Sequence, residues 1–366
     1  MIRPNAKFLF TCLALLCLTT MGYSQAKSNF KVIAYFWGNA EQAKVVPAEK
    51  ITHVIYSFCH LKGNKLNVDK GTDSLTIQEL VALKKKNPQL KVLLSLGGWE
   101  GCPTCSDAFS TAAGRAEFAQ SVKQLTDYFK TDGIDLDWEY PAIEGPPGHK
   151  YTAEDKPNFT ALVTELRKVL GKKMSISFAA GGFQKALEES IDWKNVMPQV
   201  DFVNLMSYDL VNGYSVITGH HTGLYSSVQQ KESTDNAVTY LISHGVSAKQ
   251  IVIGAAFYGR MWENVPFANN GLYQSGKFKT GISYSQIADV YLKDKDFVYN
   301  WDDIVKAPYL YNAKLMQYIT FDDKKSIELK TQYAKDKKLG GIMFWEVKDD
   351  AKQDGLLDVI ERVKKK

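Results

Sequence analysis

Three carboxyl groups alternate along one short stretch of the chain. Asp135, Asp137 and Glu139 occupy every second position of the segment 132–141, and in a β-strand they would share one face, with neighbours about 6.6 Å apart. An edge strand with one solvated face would show the same alternation. In a closed barrel with helices outside, the three acids would instead point inward. Burial and mutual repulsion would then raise at least one pKa, which is what a proton donor working near neutral pH requires.

The rest of the chain alternates strand-like and helix-like segments. Besides the acidic segment, β-branched and aromatic runs predict strands over 30–37, 51–60, 91–99, 174–182, 200–210, 250–260 and 339–347. The spacing of apolar residues predicts helices over 76–86, 106–130, 158–170, 234–244, 325–337 and 355–364. Eight strands alternating with helices predict the α/β class and a (β/α)8 TIM barrel. An open doubly wound sheet is the alternative, but the glycine-rich phosphate loop usual for it does not follow the first strand.

One segment interrupts the alternation. Residues 261–321, between the seventh and eighth predicted strands, are too long for one crossover helix. They contain strand-like pieces at 296–299 and 315–320 and a helix-like piece at 284–292. We therefore predict a small α+β insertion standing on the C-terminal rim of the barrel.

Composition narrows the class of partner. The 366 residues carry a net charge of +5, and they contain no block of basic residues that would suggest a nucleic-acid partner. Aromatic residues make up 12% of the chain. This content favours flat-faced ligands such as sugars, although aromatic side chains also fill protein cores.

The N-terminal residues predict export. Residues 1–25 combine a basic start, an apolar centre over 8–19 and a small-residue region ending near Ala26, a pattern typical of a secretory signal peptide. A membrane anchor is one alternative, but the apolar run is shorter than the roughly 20 residues needed to span a bilayer. A lipid anchor is another, but Cys17 follows Leu16 rather than a small residue. We expect cleavage, no membrane anchor afterwards, and a secreted (extracellular or periplasmic) catalytic domain over 26–366.

The cysteines of this mature part fit an oxidising compartment. Cys102 and Cys105 are separated by two residues, and a local disulfide that tightens their loop is the favoured interpretation. Half of a zinc site is the alternative, but no second cysteine pair or histidine cluster accompanies them. Cys59 would then be a lone buried thiol.

A barrel would bring the ends of these strands together, because (β/α)8 enzymes build their active sites at the C-terminal ends of the strands. The residues predicted there are mostly aromatic or ionisable: Tyr35, Phe58, Gly97, Gly98, Trp99, Asp137, Glu139, Met206, Tyr208, Asp209, Tyr258, Arg260 and Trp345. Together they predict a cleft floored by aromatic rings in which acids, phenols and an arginine converge. Such a cleft suits a pyranose ring.

The segment DGIDLDWEYP at 132–141 resembles the signature of glycoside hydrolase family 18, the chitinases and their relatives. The other strand ends of the family are matched in order by SLGGW at 95–99, MSYDL at 206–210, FYGR at 257–260 and GGIMFWEV at 340–347. The resemblance covers nearly all of the mature chain. The insertion resembles that of the subfamily with deep, tunnel-like clefts.

This resemblance implies a mechanism and a substrate, chitin or N-acetylglucosamine oligosaccharides. Glu139 would protonate the glycosidic oxygen, and the nucleophile would be the carbonyl oxygen of the substrate's own 2-acetamido group, giving an oxazolinium intermediate and net retention. Asp137 would orient that group, Asp135 would share a proton with Asp137, and Tyr208 would hydrogen-bond the acetamido oxygen. Residues implied to bind the sugars are Tyr35, Phe58, Gly98, Trp99, Met206, Asp209, Tyr214, Tyr258, Arg260 and Trp345. Neither a cofactor nor a metal is implied, and we expect a monomer.

Two features depart from the family pattern. Tyr214 stands where relatives often carry tryptophan a few residues after the sixth strand, which puts the outer product-side subsite in question. The loop after Trp99 carries the Cys102 and Cys105 pair.

Three other functions remain open from the sequence. An endo-β-N-acetylglucosaminidase that acts on glycoprotein glycans would use the same residues. A non-catalytic chitin-binding lectin would be expected to lack the acid at position 139. A metal-dependent hydrolase could use the spaced carboxylates as ligands, but no histidine near them supports it.

Overall fold

The computed structural model of the protein describes residues 30–366, so the predicted signal peptide lies outside the described residues. The strands are β1 (Lys31–Phe36), β2 (His53–Lys62), β3 (Lys65–Asn67), β4 (Lys91–Gly97), β5 (Gly133–Asp137), β6 (Ser175–Gly181), β7 (Phe202–Met206), β8 (Ile251–Ala256), β9 (Tyr258–Glu263), β10 (Lys277–Ser283), β11 (Val298–Asp302), β12 (Ala307–Asn312), β13 (Gln317–Phe321) and β14 (Gly341–Trp345).

Eight of these strands close into a barrel. Parallel pairing runs in the order β1-β14-β8-β7-β6-β5-β4-β2, and β2 pairs with β1 to complete the circle. The short strand β3 extends β2 as an antiparallel hairpin. The predicted (β/α)8 TIM barrel is therefore confirmed, and the alternative of an open doubly wound sheet is wrong.

Helices surround the barrel. They are α1 (Ala40–Ala43), α2 (Gly71–Ala82), α3 (Cys105–Phe109), α4 (Ala112–Phe129), α5 (Asp155–Leu170), α6 (Trp193–Val196), α7 (Thr234–Ser243), α8 (Tyr284–Gln286), α9 (Lys324–Asp336) and α10 (Leu356–Lys365). Short 3₁₀ and π turns occupy Leu83–Lys85, Ala186–Ser190, Met197–Gln199, Ala248–Gln250, Ala268–Gly271, Ile287–Tyr291 and Val347–Asp349. No helix within the described part of the chain is both long and apolar enough to cross a membrane.

The acidic strand β5 has its apolar face turned toward the helices. Ile134, Leu136 and Trp138 belong to the large core between the strands and the helices. The ring of Trp138 lies 5.6 Å from that of Phe109 and 6.4 Å from that of Phe159, measured between centroids. Alternation along the strand then directs the intervening acids into the barrel. The reading of this segment as a solvated edge strand is therefore wrong.

A second, antiparallel sheet follows β8. Its strand order is β10-β9-β13-β12-β11, and small apolar clusters cover its two faces. The predicted strand 250–260 is in fact two strands: β8 ends at Ala256 in the barrel, and β9 begins at Tyr258 in the second sheet. The sequence did not reveal the break because both pieces are apolar and β-prone. It also did not predict β3, β10 or β12.

The cysteines follow the favoured interpretation. Cys102 and Cys105 form a disulfide in the loop between β4 and α3, and the zinc alternative is wrong for this pair. Cys59 is a free thiol that is fully buried in β2.

A buried ion pair joins the second sheet to the barrel. The Lys330 ammonium on α9 lies 2.7 Å from Asp322 Oδ2 and 2.5 Å from Thr222 Oγ1, and the side chains of Lys330 and Asp322 are fully buried. Asp322 also accepts hydrogen bonds from Ser326 Oγ and from the backbone N–H of Ala256, the last residue of β8. The pair therefore links the end of β8 to helix α9 and to the residue that follows β13.

Lys330→Met should lower the free energy of unfolding by about 3–5 kcal/mol, because it leaves the Asp322 carboxylate buried without its countercharge. Denaturant unfolding followed by circular dichroism would measure the change. Gln332→Met, at an exposed position of the same helix, is the matched control and should change the free energy by less than about 0.5 kcal/mol. A loss below about 1 kcal/mol for Lys330→Met would contradict this account.

Candidate active site

Asp135 lies at the bottom of the site and is fully buried. Its Oδ1 accepts hydrogen bonds from Ser177 Oγ (2.6 Å) and Asn204 Nδ2 (3.1 Å), and its Oδ2 accepts from the Tyr35 hydroxyl (2.9 Å) and Ser95 Oγ (3.0 Å). Burial raises the pKa of Asp135, and these four donors act in the opposite direction. Both oxygens are thus engaged by side chains from four other barrel strands.

Asp137 lies one step closer to the mouth of the barrel and has a contrasting environment. Its side chain is 5% exposed, and its Oδ1 has no hydrogen-bond partner among the described residues. Gly97 lies beside it on β4, where an added Cβ would come within 2.2 Å of the Asp137 carbonyl oxygen. Burial, then the charges of Glu139 and Asp135, raise the pKa of Asp137 well above its usual range. No hydrogen bond joins Asp135 to Asp137 in the described structure, so the predicted sharing of a proton is not seen there.

Glu139 follows the end of β5 and is half-buried at the mouth of the barrel. Burial raises its pKa to about 7, the hydrogen bond with Tyr140 acts in the opposite direction, and the charge of Asp209 adds to the rise. A carboxyl group with this pKa is protonated in a large fraction of molecules at neutral pH and remains reachable by a ligand. It can therefore act as a general acid and, once deprotonated, as a general base.

The wall of the site beyond β7 is a charged and aromatic cluster. Arg260 donates two hydrogen bonds to the Asp209 carboxylate, and its guanidinium lies 5.5 Å from the ring centroid of Tyr258. Burial alone would raise the pKa of Asp209, but the hydrogen bond with His221 and the charge of Arg260 outweigh it, so the net pKa is lowered. The ring of Tyr208 lies edge-on to that of Tyr258, with centroids 6.0 Å apart. Asp209 is thus a fixed negative charge, unlike Asp137.

An aromatic floor covers the opposite side of the mouth. Phe58 and Trp345 stack with their centroids 5.7 Å apart and their planes at 10°, and Tyr35 lies 6.1 Å from Trp345. Gly98 leaves room for this arrangement, since an added Cβ would lie 2.4 Å from the Phe58 ring. Trp345 and Tyr208 pack on the interior cluster that contains Met206. Two further rings, Trp99 and Tyr214, lie at the rim with centroids 6.3 Å apart.

The structure brings all the sequence-predicted site residues to the C-terminal end of the barrel. Their depths differ: Tyr35 and Met206 are 2% and 8% exposed, whereas Trp99 and Tyr214 are 44% and 65% exposed. Sequence reasoning missed the donors Ser95, Ser177 and Asn204, and it missed His221. All three donors point into the barrel: Ser95 and Ser177 pair directly with Asp135 in the neighbouring strands, and Asn204 pairs with Ala179, two residues further toward the C-terminal end. Their position in the strand alternation could have identified them.

These features define what the site can do. A proton donor with a pKa near neutrality lies next to a buried, incompletely hydrogen-bonded carboxyl group, and both face a stacked aromatic floor that suits the flat face of a sugar. In the described part of the chain, no group of three or more histidine, cysteine, aspartate or glutamate side chains could hold a metal ion.

Comparisons with known proteins agree with this chemistry. Residues 31–350 match the model of the glycosyl hydrolases family 18. Chitinase A1 of Niallia circulans is 28% identical over 95% of this chain and 61% of its own length, and mouse chitotriosidase-1 is 32% identical over 80% of this chain and 66% of its own. The chain therefore spans less than two thirds of either relative. The solved structure of a family 18 N-acetylglucosaminidase from Paenibacillus barengoltzii superposes with a TM-score of 0.82 at 35% identity, covering 91% of this chain and 99% of that one.

Proposed function

The chain belongs to glycoside hydrolase family 18, and on that premise we propose that it is a secreted chitinase that hydrolyses β-1,4 links between N-acetylglucosamine units with retention of configuration. The observation that carries the proposal is the accessibility and the raised pKa of the Glu139 carboxyl group. This carboxyl group is accessible at the barrel mouth, its pKa is about 7, and Asp137 and the aromatic floor lie beside it.

Glu139 is the proton donor in the first step. Its proton passes to the glycosidic oxygen as the bond from that oxygen to the anomeric carbon breaks, and the leaving sugar departs as an alcohol. In the second step the Glu139 carboxylate takes a proton from water, whose oxygen attacks the anomeric carbon as the bond from that carbon to the substrate's acetamido oxygen breaks and the acetamido group is regenerated. The raised pKa suits both roles, because a group that titrates near the working pH can give and regain a proton with little cost.

The nucleophile is the carbonyl oxygen of the substrate's acetamido group, which attacks the anomeric carbon and forms an oxazolinium ring. Asp137 orients the acetamido N–H and offsets the positive charge that develops on it. The Oδ1 of Asp137, which has no hydrogen-bond partner among the described residues, supports this role, because it offers a buried acceptor that substrate can satisfy. Tyr208, beside Asp137 in the same mouth, hydrogen-bonds the acetamido oxygen and holds it against the anomeric carbon.

Asp135 is a positioning residue in this proposal. Its two oxygens are held by four donors, so it does not contact substrate, and its charge contributes to the raised pKa of Asp137. Trp345 and Phe58 form the floor under the reacting sugar. The remaining predicted contacts, namely Tyr35, Gly98, Trp99, Met206, Asp209, Tyr214, Tyr258 and Arg260, line or support the same cleft.

The experiment that tests this function follows the anomer of fresh product from N-acetylglucosamine oligomers by proton NMR. The β-anomer should form first and then mutarotate, and oligomers of plain glucose should not be cleaved because they lack the attacking amide. Initial formation of the α-anomer, or equal cleavage of both sugars, would overturn the proposal.

Activity should survive EDTA, since no step uses a metal, and loss of activity in EDTA would favour the metal-dependent alternative.

A second candidate substrate is a glycan of glycoproteins. The relative solved from Paenibacillus barengoltzii is described as an N-acetylglucosaminidase, and an endo-β-N-acetylglucosaminidase would use the same acid and amide. Incubation with an N-glycoprotein beside chitin oligomers separates the two substrates.

A chitin-binding lectin is disfavoured because Glu139, Asp137 and Tyr208 are all present. Secretion through residues 1–25 and a monomeric state complete the proposal, to be tested by sequencing the mature N-terminus and by light scattering.

A further inference from the structure

Two side-chain hydrogen bonds hold the backbone directly after Glu139. The Nε2 atom of His149 lies 3.2 Å from the carbonyl oxygen of Tyr140, and Ser190 Oγ donates to the carbonyl of Pro141 (2.7 Å). A carbonyl oxygen can only accept, so Nε2 of His149 carries the proton in its contact. The two residues that follow the proposed general acid are therefore fixed by side chains from two different segments of the chain.

His149 belongs to the loop between β5 and α5, which folds back over the end of the strand. Its N–H donates to the carbonyl of Pro146 (2.9 Å), and this bond closes a turn. Gly145 lies so close to the strand that an added Cβ would come within 2.2 Å of the Glu139 carbonyl oxygen. Any larger residue at position 145 would push the turn away, so this glycine lets His149 reach Tyr140.

The far end of the same loop is anchored on the helices. Asp155, the first residue of α5, is fully buried, and its carboxylate accepts hydrogen bonds from Ser106 Oγ (2.7 Å) and from the N–H of Thr152 (2.8 Å). Ser106 lies on α3, directly after Cys105 of the disulfide. The loop that carries His149 is thus tied to a cross-linked segment of the neighbouring βα unit.

Ser190 is held just as firmly. It ends the π turn Ala186–Ser190 that follows β6, and it is 2% exposed. The cavity that remains between this turn, Tyr140 and Pro141 has a volume of about 10 Å³, which is room for about one water molecule. The ring of Tyr140 also meets that of Phe183 edge-on, with centroids 5.4 Å apart. The end of the strand therefore has little space in which to move.

We propose that His149 and Ser190 are positioning residues of the reaction, which fix the backbone after Glu139 and so hold its carboxyl group where it can donate its proton. The inference rests on the proposed function, which makes Glu139 the acid. Without the two bonds, the end of the strand shifts and water gains access to this carboxyl group. A reacting group displaced by about 1 Å can slow a reaction by about a hundredfold.

His149→Leu tests the inference on the N-acetylglucosamine hexamer. It removes the donor to Tyr140 and should lower kcat by about tenfold or more. KM should stay within about twofold, because the aromatic floor is unchanged. His149→Gln places an amide N–H near the position of Nε2 and should restore most of the lost turnover. Ser190→Ala should lower kcat in the same direction as His149→Leu.

The pH profile of kcat/KM separates positioning from a general loss of folded protein. Burial is the main reason that the pKa of Glu139 is raised, so greater access of water should move the alkaline limb of His149→Leu to lower pH, by about half a unit or more. A smaller folded fraction would lower the rate at every pH without moving the limb. The ionisable groups that interact with Glu139 stay in place in these variants, namely Asp137, Tyr140, Tyr208 and Asp209, the last paired with Arg260.

His244→Leu is the matched control. Nδ1 of His244 lies 2.8 Å from the carbonyl oxygen of Tyr240 at the C-terminal end of α7, so this substitution removes the same kind of contact away from the acids. It should change neither kcat nor the pH profile.

The His149 variants decide the question on their own, because this half-buried loop residue can be replaced without opening the core. If the wild-type protein cleaves the hexamer but His149→Leu keeps its kcat and its alkaline limb, the inference is overturned while the proposed function stands. The same conclusion follows if His149→Gln is no better than His149→Leu. A wild-type protein that does not cleave the hexamer overturns the proposed function itself.

Discussion

Replacing Glu139 with glutamine should reduce kcat on N-acetylglucosamine oligomers by about two to four orders of magnitude, the usual contribution of a positioned general acid. Glutamine has nearly the same shape but no proton to give at the glycosidic oxygen. Binding should survive, since the floor of Phe58 and Trp345 is unchanged. Initial rates give kcat, and isothermal titration with a trimer gives the dissociation constant, which should stay within about threefold.

Glu144→Gln is the matched control for this prediction. Glu144 is an exposed carboxylate of the loop that follows β5, so its loss should leave kcat and the dissociation constant unchanged. Near-full activity in Glu139→Gln would show that another group is the acid. A variant that loses affinity as much as turnover would mean that Glu139 serves mainly to bind.

The pH dependence of the wild-type protein should report the same group. Because the acid must be protonated to act, activity should fall as pH rises through the pKa of Glu139, which is about 7. Well above this pKa, activity should fall about tenfold for each pH unit. The residual activity of Glu139→Gln should lack this alkaline limb. A wild-type profile that stays flat to pH 9 would contradict the assignment.

Asp137→Asn should have two opposite effects, a large loss of turnover and a gain in stability. Asparagine cannot offset the positive charge of the proposed oxazolinium intermediate, and loss of one such stabilising group typically costs about 10²–10³ in kcat. The same replacement removes an ionisable group from a buried site, where burial raises the pKa of the Asp137 carboxyl group. Folding is expected to become more favourable because that carboxyl group is costly to ionise inside the barrel.

The gain in stability should depend on pH in a definite direction. The folded-state pKa of Asp137 is raised, chiefly by burial, so the folded protein binds this proton more tightly than the unfolded chain does. At pH values below the usual aspartate pKa, Asp137 is protonated in both the folded protein and the unfolded chain, so its ionisation does not lower the free energy of unfolding. As pH rises above that value, the unfolded chain loses its proton first and the wild-type protein loses stability. The difference in melting temperature between Asp137→Asn and wild type should therefore grow from about pH 4 toward neutrality.

Differential scanning fluorimetry at pH 4, 5.5 and 7 would measure this trend beside initial rates. Asp289→Asn, at an exposed site of the insertion, is the control and should show neither effect. A variant that is less stable than the wild-type protein at pH 7 would mean that the Asp137 carboxylate is well solvated or paired in the folded state. Retained turnover would remove Asp137 from the mechanism.

The amino-acid sequence alone determined the main architecture, and it predicted where the proposed chemistry lies. The alternation of Asp135, Asp137 and Glu139 against apolar neighbours identified a strand with one acidic face, and eight strand-helix repeats identified the barrel. These features are local, since the period of a strand and the positions of strand ends can be read from neighbouring residues. For the same reason, the residues at the C-terminal strand ends were identified as one site before any contact was known.

Only the tertiary structure decided how the three acids differ. Asp135 is held by donors from four other strands, Asp137 Oδ1 has no partner in the described structure, and Glu139 is half-buried at the mouth. The alternation along a strand predicts which face a side chain occupies. The side chains that hydrogen-bond Asp135, however, come from segments 40 to 100 residues away in the sequence. The contact of Trp99 with Tyr214 is equally invisible in the sequence, because it depends on where two separate loops come to lie. Electrostatics and cleft shape are set by such long-range contacts, and only the folded chain brings them together.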